Sequence, residues 1–142
     1  MKEIFELELH GKTMSFETGR LAKQANAAVL AGHGKTAVLV TSVLAEKARQ
    51  GLDFFPLLVD YEERFYSAGK VPGGFIKREG RPSETAILSG RMIDRSIRSL
   101  FPEWMRNDVH VVATVMSVDQ ANPANILALN RASLALSMSD FP

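Results

Sequence analysis

The fold of this protein depends on the stretch Thr36–Leu44, which reads TAVLVTSVL. Its residues are β-branched or apolar almost throughout, and such a run is typical of a central strand that is buried on both faces. Directly before it, Gly32-His33-Gly34-Lys35 has the composition of a turn, and the small and apolar residues of Leu21–Ala31 predict another strand. We therefore expect a sheet in which 36–44 is a central strand.

The N-terminal residues predict a hairpin. Acidic and apolar side chains alternate over much of Glu3–Leu9, which is the period of two expected for a half-buried strand. A turn at His10-Gly11-Lys12 leads into a second strand at Thr13–Thr18, which Gly19 ends.

A strand, a loop and a helix follow the central strand. Leu57–Tyr66 predicts the strand, and the segment Gly69–Pro82, which is rich in glycine and proline, predicts a long loop. Ser83 is suited to cap a helix because its side chain can accept a hydrogen bond from a free backbone N–H, and Glu84 adds a favourable charge in the first turn. This helix should run to about Leu100.

One more strand and one more helix complete the chain. Val109–Val118 predicts the strand, and Asn122 followed by Pro123 predicts the cap and first position of a helix that runs to about Ser139. Antiparallel strands, a helix, a strand and a helix in this order indicate an α+β domain.

Length and composition limit the class of protein. The 142 residues fit one domain, and 46% apolar with 23% charged residues is an ordinary globular composition. The sequence has no cysteine, which excludes disulfides, thiolate metal sites and cysteine nucleophiles. Because it has neither a long uncharged apolar run nor the apolar core of a signal peptide, we expect a cytoplasmic protein without a membrane span.

Charge is distributed unevenly along the chain, although the net charge is only +1. Residues 70–106 contain eight Lys or Arg against four Asp or Glu, and the remainder contains nine against twelve. Such asymmetry predicts a local anion-binding face rather than a protein that is basic all over.

Three patterns that could indicate catalysis are weak. His10, His33 and His110 are too scattered along the chain to predict a metal site. The glycines of Gly32-His33-Gly34-Lys35 lack the spacing of a phosphate-binding loop, and the acidic run Asp60-Tyr61-Glu62-Glu63 is typical of the solvated end of a strand. We therefore assign neither a catalytic nor a metal-ligating residue to this chain.

The long loop contains the first candidate binding site. Phe75 and Ile76 stand directly beside Lys77 and Arg78, on a backbone that two preceding glycines loosen. Apolar side chains can stack on base faces and cations can bind phosphates, so this combination suits a single-stranded nucleic acid. The alternative is that Phe75 and Ile76 fold back onto the core.

The first predicted helix contains the second candidate site. At 100° per residue, Arg91, Arg95 and Arg98 fall on one face, opposite the apolar residues. Neighbouring guanidinium groups repel one another unless an anion or an acidic partner neutralises them, which predicts a phosphate track. Asp94 borders this face and could relieve part of the repulsion, and a merely solvated helical face is the alternative.

Several segments taken together resemble the bacterial polynucleotide phosphorylases. They are FETGRLA at Phe16–Ala22, FFPL and VDY at Phe54–Leu57 and Val59–Tyr61, GGFIKREGRPSE at Gly73–Glu84, and RMIDRSIR and LFP at Arg91–Arg98 and Leu100–Pro102. The resemblance spans essentially the whole chain, and it is to the start of the first ribonuclease PH-like domain of these enzymes.

This resemblance implies a fold and an activity. The fold is a layered α+β domain of the ribonuclease PH-like type, which is also called the ribosomal protein S5 domain 2 type. The family degrades RNA from 3′ to 5′ by transferring nucleotides to inorganic phosphate, its co-substrate, and magnesium (Mg2+) supports the reaction. The implied assembly is a homotrimer around a channel for single-stranded RNA, together with partners from the RNA-degradation machinery.

The resemblance also implies which residues contact RNA. In the family, the loop that matches 75–78 grips RNA at the channel constriction, and basic residues on the following helix face the RNA near the active site. The residues expected to contact RNA here are Phe75, Ile76, Lys77, Arg78, Arg91, Arg95 and Arg98.

The chain departs from the family in several respects. Nothing in it matches the serine-rich phosphate loop or the metal-binding aspartates of the second core domain. We therefore expect 1–142 to be a truncated first domain that lacks the second core domain, the KH and OB-type domains and the magnesium ligands. Ile76 stands where a second aromatic residue is often found. Arg131 stands in an apolar helix where a small residue is usual, so it must reach solvent, pair with an acid or lie at an interface.

Three functions compete on the sequence. The leading hypothesis is a part of a phosphorolytic exoribonuclease that supplies contacts to the RNA channel. The alternative is a non-catalytic RNA-binding or assembly module of the same fold. A small, complete phosphorolytic nuclease is disfavoured because the phosphate loop and the paired aspartates are missing from the sequence.

Overall fold

The computed structural model describes residues 2–9, 11–48 and 50–141. Their strands form one six-stranded sheet, composed of β1 (Glu3–Leu9), β2 (Lys12–Thr18), β3 (Ala27–His33), β4 (Thr36–Ala48), β5 (Leu57–Glu63) and β6 (Asn107–Ser117). The helices are α1 (Glu84–Arg98), α2 (Ala124–Met138) and a short 3₁₀ helix at Phe65–Ala68. A mixed sheet with two α-helices confirms the predicted α+β class.

The strands are ordered β1-β2-β3-β4-β6-β5 across the sheet. Neighbouring strands are antiparallel except for β5 and β6, which are parallel. Parallel neighbours need a crossover connection, and α1 lies in the segment that connects β5 to β6. The order therefore places β6, which comes late in the chain, between two strands that precede it.

The core lies between the sheet and the two helices. Every second residue of the central strands is fully buried, as for Val38 and Val40 on β4 and Val111 on β6. α2 packs on β3 and β4, while α1 packs on β5 and on α2. The alternate residues of β4 are half-buried or, like Val43, exposed. The prediction that this strand is buried on both faces is therefore wrong, because both helices cover the same face.

Three predicted strands differ from the structure by three residues or more at one end. The strand predicted at Thr36–Leu44 continues to Ala48. The strand predicted at Leu21–Ala31 is found at Ala27–His33, because the residues before it turn. Ala22 has a φ of +47°, and its carbonyl accepts a hydrogen bond of 3.0 Å from the backbone N–H of Ala25. The strand predicted at Leu57–Tyr66 ends at Glu63, because the chain then forms the 3₁₀ helix.

Both helices begin close to the predicted caps. Ser83 caps α1 as predicted, since its Oγ accepts a hydrogen bond of 3.0 Å from the backbone N–H of Ala86. α2 begins one residue later than predicted, with Pro123 at the cap. The reason is that the side-chain amide of Asn122 instead donates to both carboxylate oxygens of Asp119, at 3.0 and 2.8 Å.

A glycine allows α1 to pack closely on the sheet. A Cβ at Gly90 would lie 3.3 Å from the carbonyl oxygen of Val59 on β5, which is a tight contact. The missing side chain therefore permits the close approach that presents the opposite face of α1 to solvent. In the part of the chain that the structure describes, no helix is long and apolar enough to cross a membrane.

Candidate nucleic-acid interface

The long loop before α1 is anchored at its end. The carboxylate of Glu79 accepts a hydrogen bond of 2.9 Å from the backbone N–H of Phe65, at the start of the 3₁₀ helix. Ser83, at the end of the loop, donates a hydrogen bond of 3.0 Å from its Oγ to the carboxylate of Glu63 on β5. These two contacts hold the base of the loop against the end of β5.

The tip of the loop is a tight turn that projects two apolar side chains into solvent. The backbone N–H of Lys77 donates a hydrogen bond of 2.9 Å to the carbonyl of Gly74, which places Phe75 and Ile76 at the corners of the turn. Phe75 is completely exposed, and Ile76 is 77% exposed. The alternative in which these side chains fold back onto the core does not occur.

The backbone at the tip is strained. Lys77 has a φ of +51°, in the left-handed region that residues other than glycine rarely adopt. Such a conformation costs about 1–2 kcal/mol, and outliers of this kind are concentrated at functional sites. Glu79 is the one acidic residue between 69 and 82, and its carboxylate contacts the 3₁₀ helix. Lys77 and Arg78 form no ion pair with the described residues.

The exposed face of α1 carries two further cations. Arg91 and Arg95 are one helical turn apart, both are exposed, and neither side chain is ion-paired within 2–9, 11–48 or 50–141. The apolar side chains of Ile87 and Leu88, on the adjoining turn, are about half exposed. Like the loop tip, this face combines uncompensated positive charge with exposed apolar surface.

Arg98 differs from the other two arginines because all three nitrogen atoms of its guanidinium group donate hydrogen bonds. Its Nε and Nη2 donate to the two carboxylate oxygens of Asp94, at 2.9 and 2.6 Å. The same group donates to the carbonyl oxygens of Phe55 and Leu57 at 3.1 and 3.2 Å. The hydrogen bond to Asp94 raises the pKa of Arg98 above its ordinary value. Arg98 therefore holds the C-terminal end of α1 on the start of β5.

The acidic residues of β5 are engaged in structural contacts. Asp60 lies 2.8 Å from the Nε2 of His110 on β6, and Glu62 forms an ion pair with Arg64. The sequence did not reveal the first contact, because His110 follows Asp60 by 50 residues and only the parallel pairing of β5 with β6 brings the two side chains together.

A cleft of about 790 Å³ opens beside the base of the loop, between the 3₁₀ helix and the first residues of α1 and α2. Its charged lining residues are both basic and acidic, namely Arg64, Lys70, Arg81, Glu62, Glu63 and Glu79. Across the described residues, no three His, Asp or Glu side chains converge where a metal ion could bind. The donor groups of the described residues therefore do not fit a magnesium site.

Comparison of the chain with known protein families identifies its class. A family model described as the 3′ exoribonuclease family, domain 1, matches residues 10–142. The chain belongs to this family.

Comparison with individual proteins shows which members of this family are similar to the chain. The chain is 61% identical over 140 residues to the polyribonucleotide nucleotidyltransferase of Heliobacterium modesticaldum, 63% over 136 residues to that of Moorella thermoacetica, and 57% over 141 residues to that of Bacillus cytotoxicus. These matches cover 99%, 96% and 99% of this chain. The chain spans only 18–20% of the length of these relatives.

Solved structures share the fold at low sequence identity. Rice (Oryza sativa) Rrp46 has a TM-score of 0.65 at 16% identity, and the match covers 91% of this chain and 56% of that one. The Archaeoglobus fulgidus exosome, solved with RNA bound to its active site, has a TM-score of 0.55 at 19% identity, with 98% and 50% coverage. The likeness confirms the predicted ribonuclease PH-like fold.

Proposed function

We propose that the chain is the N-terminal part of the first ribonuclease PH-like domain of a polyribonucleotide nucleotidyltransferase. In this role it supplies RNA contacts to a phosphorolytic 3′→5′ exoribonuclease that takes part in RNA degradation. The observation that carries the proposal is 54–63% identity, over 96–100% of the chain, to enzymes of that name. Since the chain spans about a fifth of their length, the catalytic step belongs to the longer polypeptide.

The loop tip contributes the first set of RNA contacts. Phe75 and Ile76 present apolar surface to solvent, so a base can stack on the ring of Phe75 without any prior rearrangement of the core. Lys77 and Arg78 follow directly and bind phosphates by charge. The combination suits single-stranded RNA, because only unpaired bases offer their faces for stacking.

The exposed face of α1 contributes the second set of contacts. Arg91 and Arg95 have no acidic partner among the described residues, so RNA phosphates can neutralise them. Arg98 acts as a positioning residue, because its contacts with Asp94 and the carbonyl of Leu57 set the orientation of the helix.

The complete enzyme uses inorganic phosphate as its co-substrate. An oxygen of phosphate attacks the phosphorus of the 3′-terminal phosphodiester, and the bond from this phosphorus to the 3′ oxygen of the preceding nucleotide breaks. That oxygen takes up a proton and becomes the 3′ hydroxyl of the shortened RNA, and the terminal nucleotide is released as a nucleoside diphosphate. Magnesium supports this reaction with ligands that lie outside the present chain. The proposal further includes a cytoplasmic homotrimer that works with partners of the RNA-degradation machinery.

A non-catalytic RNA-binding or assembly module of the same fold is the second candidate. The observation that favours it is the engagement of the β5 acids: Asp60 contacts His110, Glu62 contacts Arg64, and Glu63 accepts a hydrogen bond from Ser83. Such carboxylates stabilise the fold instead of forming a reaction centre.

Phosphorolysis by the full-length polypeptide distinguishes these two functions. With a single-stranded RNA, phosphate and magnesium, the exoribonuclease should release nucleoside diphosphates from the 3′ end only when phosphate is present. Residues 1–142 alone should release none. Release by the shorter chain that survives repurification would contradict the proposal, and so would a full-length protein that binds RNA without degrading it.

The contribution of the loop tip is tested in the same assay. The double variant Lys77→Ala/Arg78→Ala should raise the RNA concentration needed for half-maximal rate. The control Lys23→Ala/Lys47→Ala removes the same charge at two exposed positions outside the candidate interface and should leave the rate unchanged.

A further inference from the structure

The backbone of Phe65 closes the long loop at both of its ends. Its carbonyl oxygen accepts a hydrogen bond of 3.0 Å from the backbone N–H of Lys70, where the loop begins. Its N–H donates a hydrogen bond of 2.9 Å to a carboxylate oxygen of Glu79, close to where the loop ends. Residues 71–78, which include the tip, therefore leave from and return to the same residue.

This residue has a fixed position on the sheet. Phe65 is the first residue of the 3₁₀ helix, and the carbonyl of Ser67 in that helix accepts a hydrogen bond of 3.1 Å from the backbone N–H of Val118. Val118 directly follows β6, so the 3₁₀ helix is tied to the end of a central strand. The hydrogen bond of Glu79 thus transmits the position of the sheet to the end of the loop.

The contact of Glu79 also shortens the free part of the loop. In the described chain, the next residue of the loop that hydrogen-bonds to another segment is Ser83, through Glu63. Without Glu79 the free segment would extend over 71–82, and a longer free segment loses more entropy when it is ordered. The left-handed φ of +51° at Lys77 needs such support, because a strained conformation persists only where surrounding contacts enforce it.

Glu79 offers an oxygen to the backbone and does not neutralise its basic neighbours. It directly follows Arg78, yet no ion pair among the described residues joins it to Lys77 or Arg78. Its side chain is half-buried, whereas the residues on both sides of it are exposed. The carboxylate therefore contacts the base of the loop and leaves both cations available for phosphates.

We infer that Glu79 is a positioning residue for RNA binding. Through its hydrogen bond to Phe65, it holds the tip in the conformation that presents the apolar and basic side chains to solvent, so RNA does not have to order the loop when it binds. The accepting oxygen performs this role, whereas the negative charge opposes RNA binding because it lies beside Arg78 in the chain. The inference rests on the proposed function, in which the loop tip contacts RNA.

The hydrogen bond and the charge predict opposite effects of one substitution. Glu79→Ala removes an acid beside the tip, so RNA would bind more tightly if only charge mattered. It should instead bind more weakly, because the loop loses its anchor. Glu79→Gln removes the charge but keeps a side-chain oxygen that can accept from Phe65, so it should bind at least as tightly as the parent. The control Glu46→Ala removes the same charge at an exposed position outside the interface.

Two measurements on the full-length protein test the inference. In phosphorolysis of a single-stranded RNA, Glu79→Ala should raise the RNA concentration for half-maximal rate by about threefold or more and leave the maximal rate unchanged. Glu79→Gln and Glu46→Ala should not raise it. Without RNA, chymotrypsin should cleave after Phe75 about threefold faster or more in Glu79→Ala, because proteases need a locally flexible segment. Glu79→Gln should be cleaved at the rate of the parent.

A Glu79→Ala variant with the same or a lower half-maximal RNA concentration than the parent would overturn the inference. A Glu79→Gln variant as weak as Glu79→Ala would do the same, because the charge and not the accepting oxygen would then matter. Equal cleavage of the parent and Glu79→Ala by chymotrypsin would overturn it even in an active enzyme. A parent that neither binds nor degrades RNA would refute the proposed function, and this outcome is distinguishable because the cleavage measurement contains no RNA.

Discussion

The carboxylate of Asp119 accepts a hydrogen bond of 2.8 Å from the backbone N–H of Lys35, and it thereby joins the β3–β4 turn to the loop that leads into α2. Its other oxygen accepts hydrogen bonds from the backbone N–H groups of Ala121 and Asn122, at 3.0 and 2.7 Å. The side-chain amide of Asn122, followed by the N–H of Lys35, holds the pKa of Asp119 well below its ordinary value of 3.8. One carboxylate thus fixes two loops that lie 84 residues apart in the sequence.

The pH dependence of stability should reveal this carboxylate. Because the folded state depresses the pKa of Asp119, ionised Asp119 stabilises the fold above its unfolded pKa of about 3.9, and this contribution disappears as the pH falls towards the folded pKa. Asp119→Asn should therefore lower the Tm at pH 7, and the difference from the parent should narrow between about pH 4 and pH 2. Thermal melting followed by circular dichroism at several pH values measures the difference.

Asp53→Asn is the matched control for this experiment, because Asp53 is exposed and lies outside the Asp119 hydrogen-bond network. It should leave the Tm unchanged at every pH. A difference between Asp119→Asn and the parent that stayed constant from pH 7 to pH 2 would contradict the assigned role of the charge.

The turn that Asp119 closes should not tolerate a side chain at Gly34. Gly34 has a φ of +62°, and a Cβ there would lie 2.6 Å from Asn122 Nδ2 and 2.9 Å from Asp119 Oδ2. Gly11, in the β1–β2 turn, has a φ of +72° with no atom within 4 Å of a Cβ. Both alanine variants have the left-handed strain of about 1–2 kcal/mol, but only Gly34→Ala also displaces the hydrogen-bonded side chains.

Chemical denaturation should therefore show that Gly34→Ala lowers the free energy of unfolding by at least about 1 kcal/mol more than Gly11→Ala. Equal decreases in the two variants would show that the side chains of Asp119 and Asn122 adjust without cost.

The two kinds of RNA contact at the loop tip should differ in their dependence on salt. In the full-length protein, Lys77→Ala/Arg78→Ala should weaken the binding of single-stranded RNA and reduce the slope of log K against log salt by about 0.7 for each phosphate that the variant no longer neutralises. Phe75→Ala should weaken binding by about 1–3 kcal/mol with nearly the same slope, because stacking releases no counterions. Fluorescence anisotropy titrations at several salt concentrations measure both quantities.

The loop variants could instead bind RNA with the same affinity and the same salt slope as the parent while their Tm stays unchanged. This result would show that the loop tip is not part of the RNA interface. The control Lys23→Ala/Lys47→Ala separates the effect of these specific side chains from a general decrease in positive charge.

Substitution of the three arginines of α1 should have two different effects, one on RNA binding and the other on stability. Arg91→Ala and Arg95→Ala remove exposed side chains without an ion-pair partner among the described residues, so they should weaken RNA binding and leave the Tm unchanged. Arg98→Ala removes the hydrogen bonds to Asp94 and to the carbonyl of Leu57, so it should lower the Tm by about 3 °C or more. Parallel melting and RNA-binding measurements on the three variants test this separation.

The matched control for Arg98→Ala is Arg98→Lys. Lysine keeps the positive charge but cannot form the bidentate hydrogen bonds with Asp94. This variant should melt close to Arg98→Ala. A Tm equal to that of the parent would show that charge alone, and not the geometry of the guanidinium group, matters at this position.

Local sequence by itself determined the elements whose residues interact with near neighbours. The alternation in Glu3–Leu9 gives the first strand because successive side chains of a strand point to opposite faces. The prediction that this strand is half-buried is wrong, since all seven of its residues are exposed at the edge of the sheet. Ser83 caps α1 because its hydroxyl needs only an N–H three residues ahead. The glycines and proline around Phe75 and Ile76 prevent regular structure, so the loop was readable from the sequence. The exposure of its apolar tip was not, because the sequence left open whether these two side chains fold back onto the core.

Only the tertiary structure decided the relationships between distant residues. Three of these relationships join segments that lie more than 40 residues apart in the sequence. They are the insertion of β6 between β4 and β5, the contact of Asp60 with His110, and the hydrogen bonds from Arg98 to backbone carbonyls. Helical periodicity correctly places Arg98 beside Arg91 and Arg95, but it does not show what packs against that turn of the helix. The burial of Arg131 against Phe16 was equally hidden, because the cost of burying a charge depends on the groups that the fold brings around it and not on its neighbours in the chain.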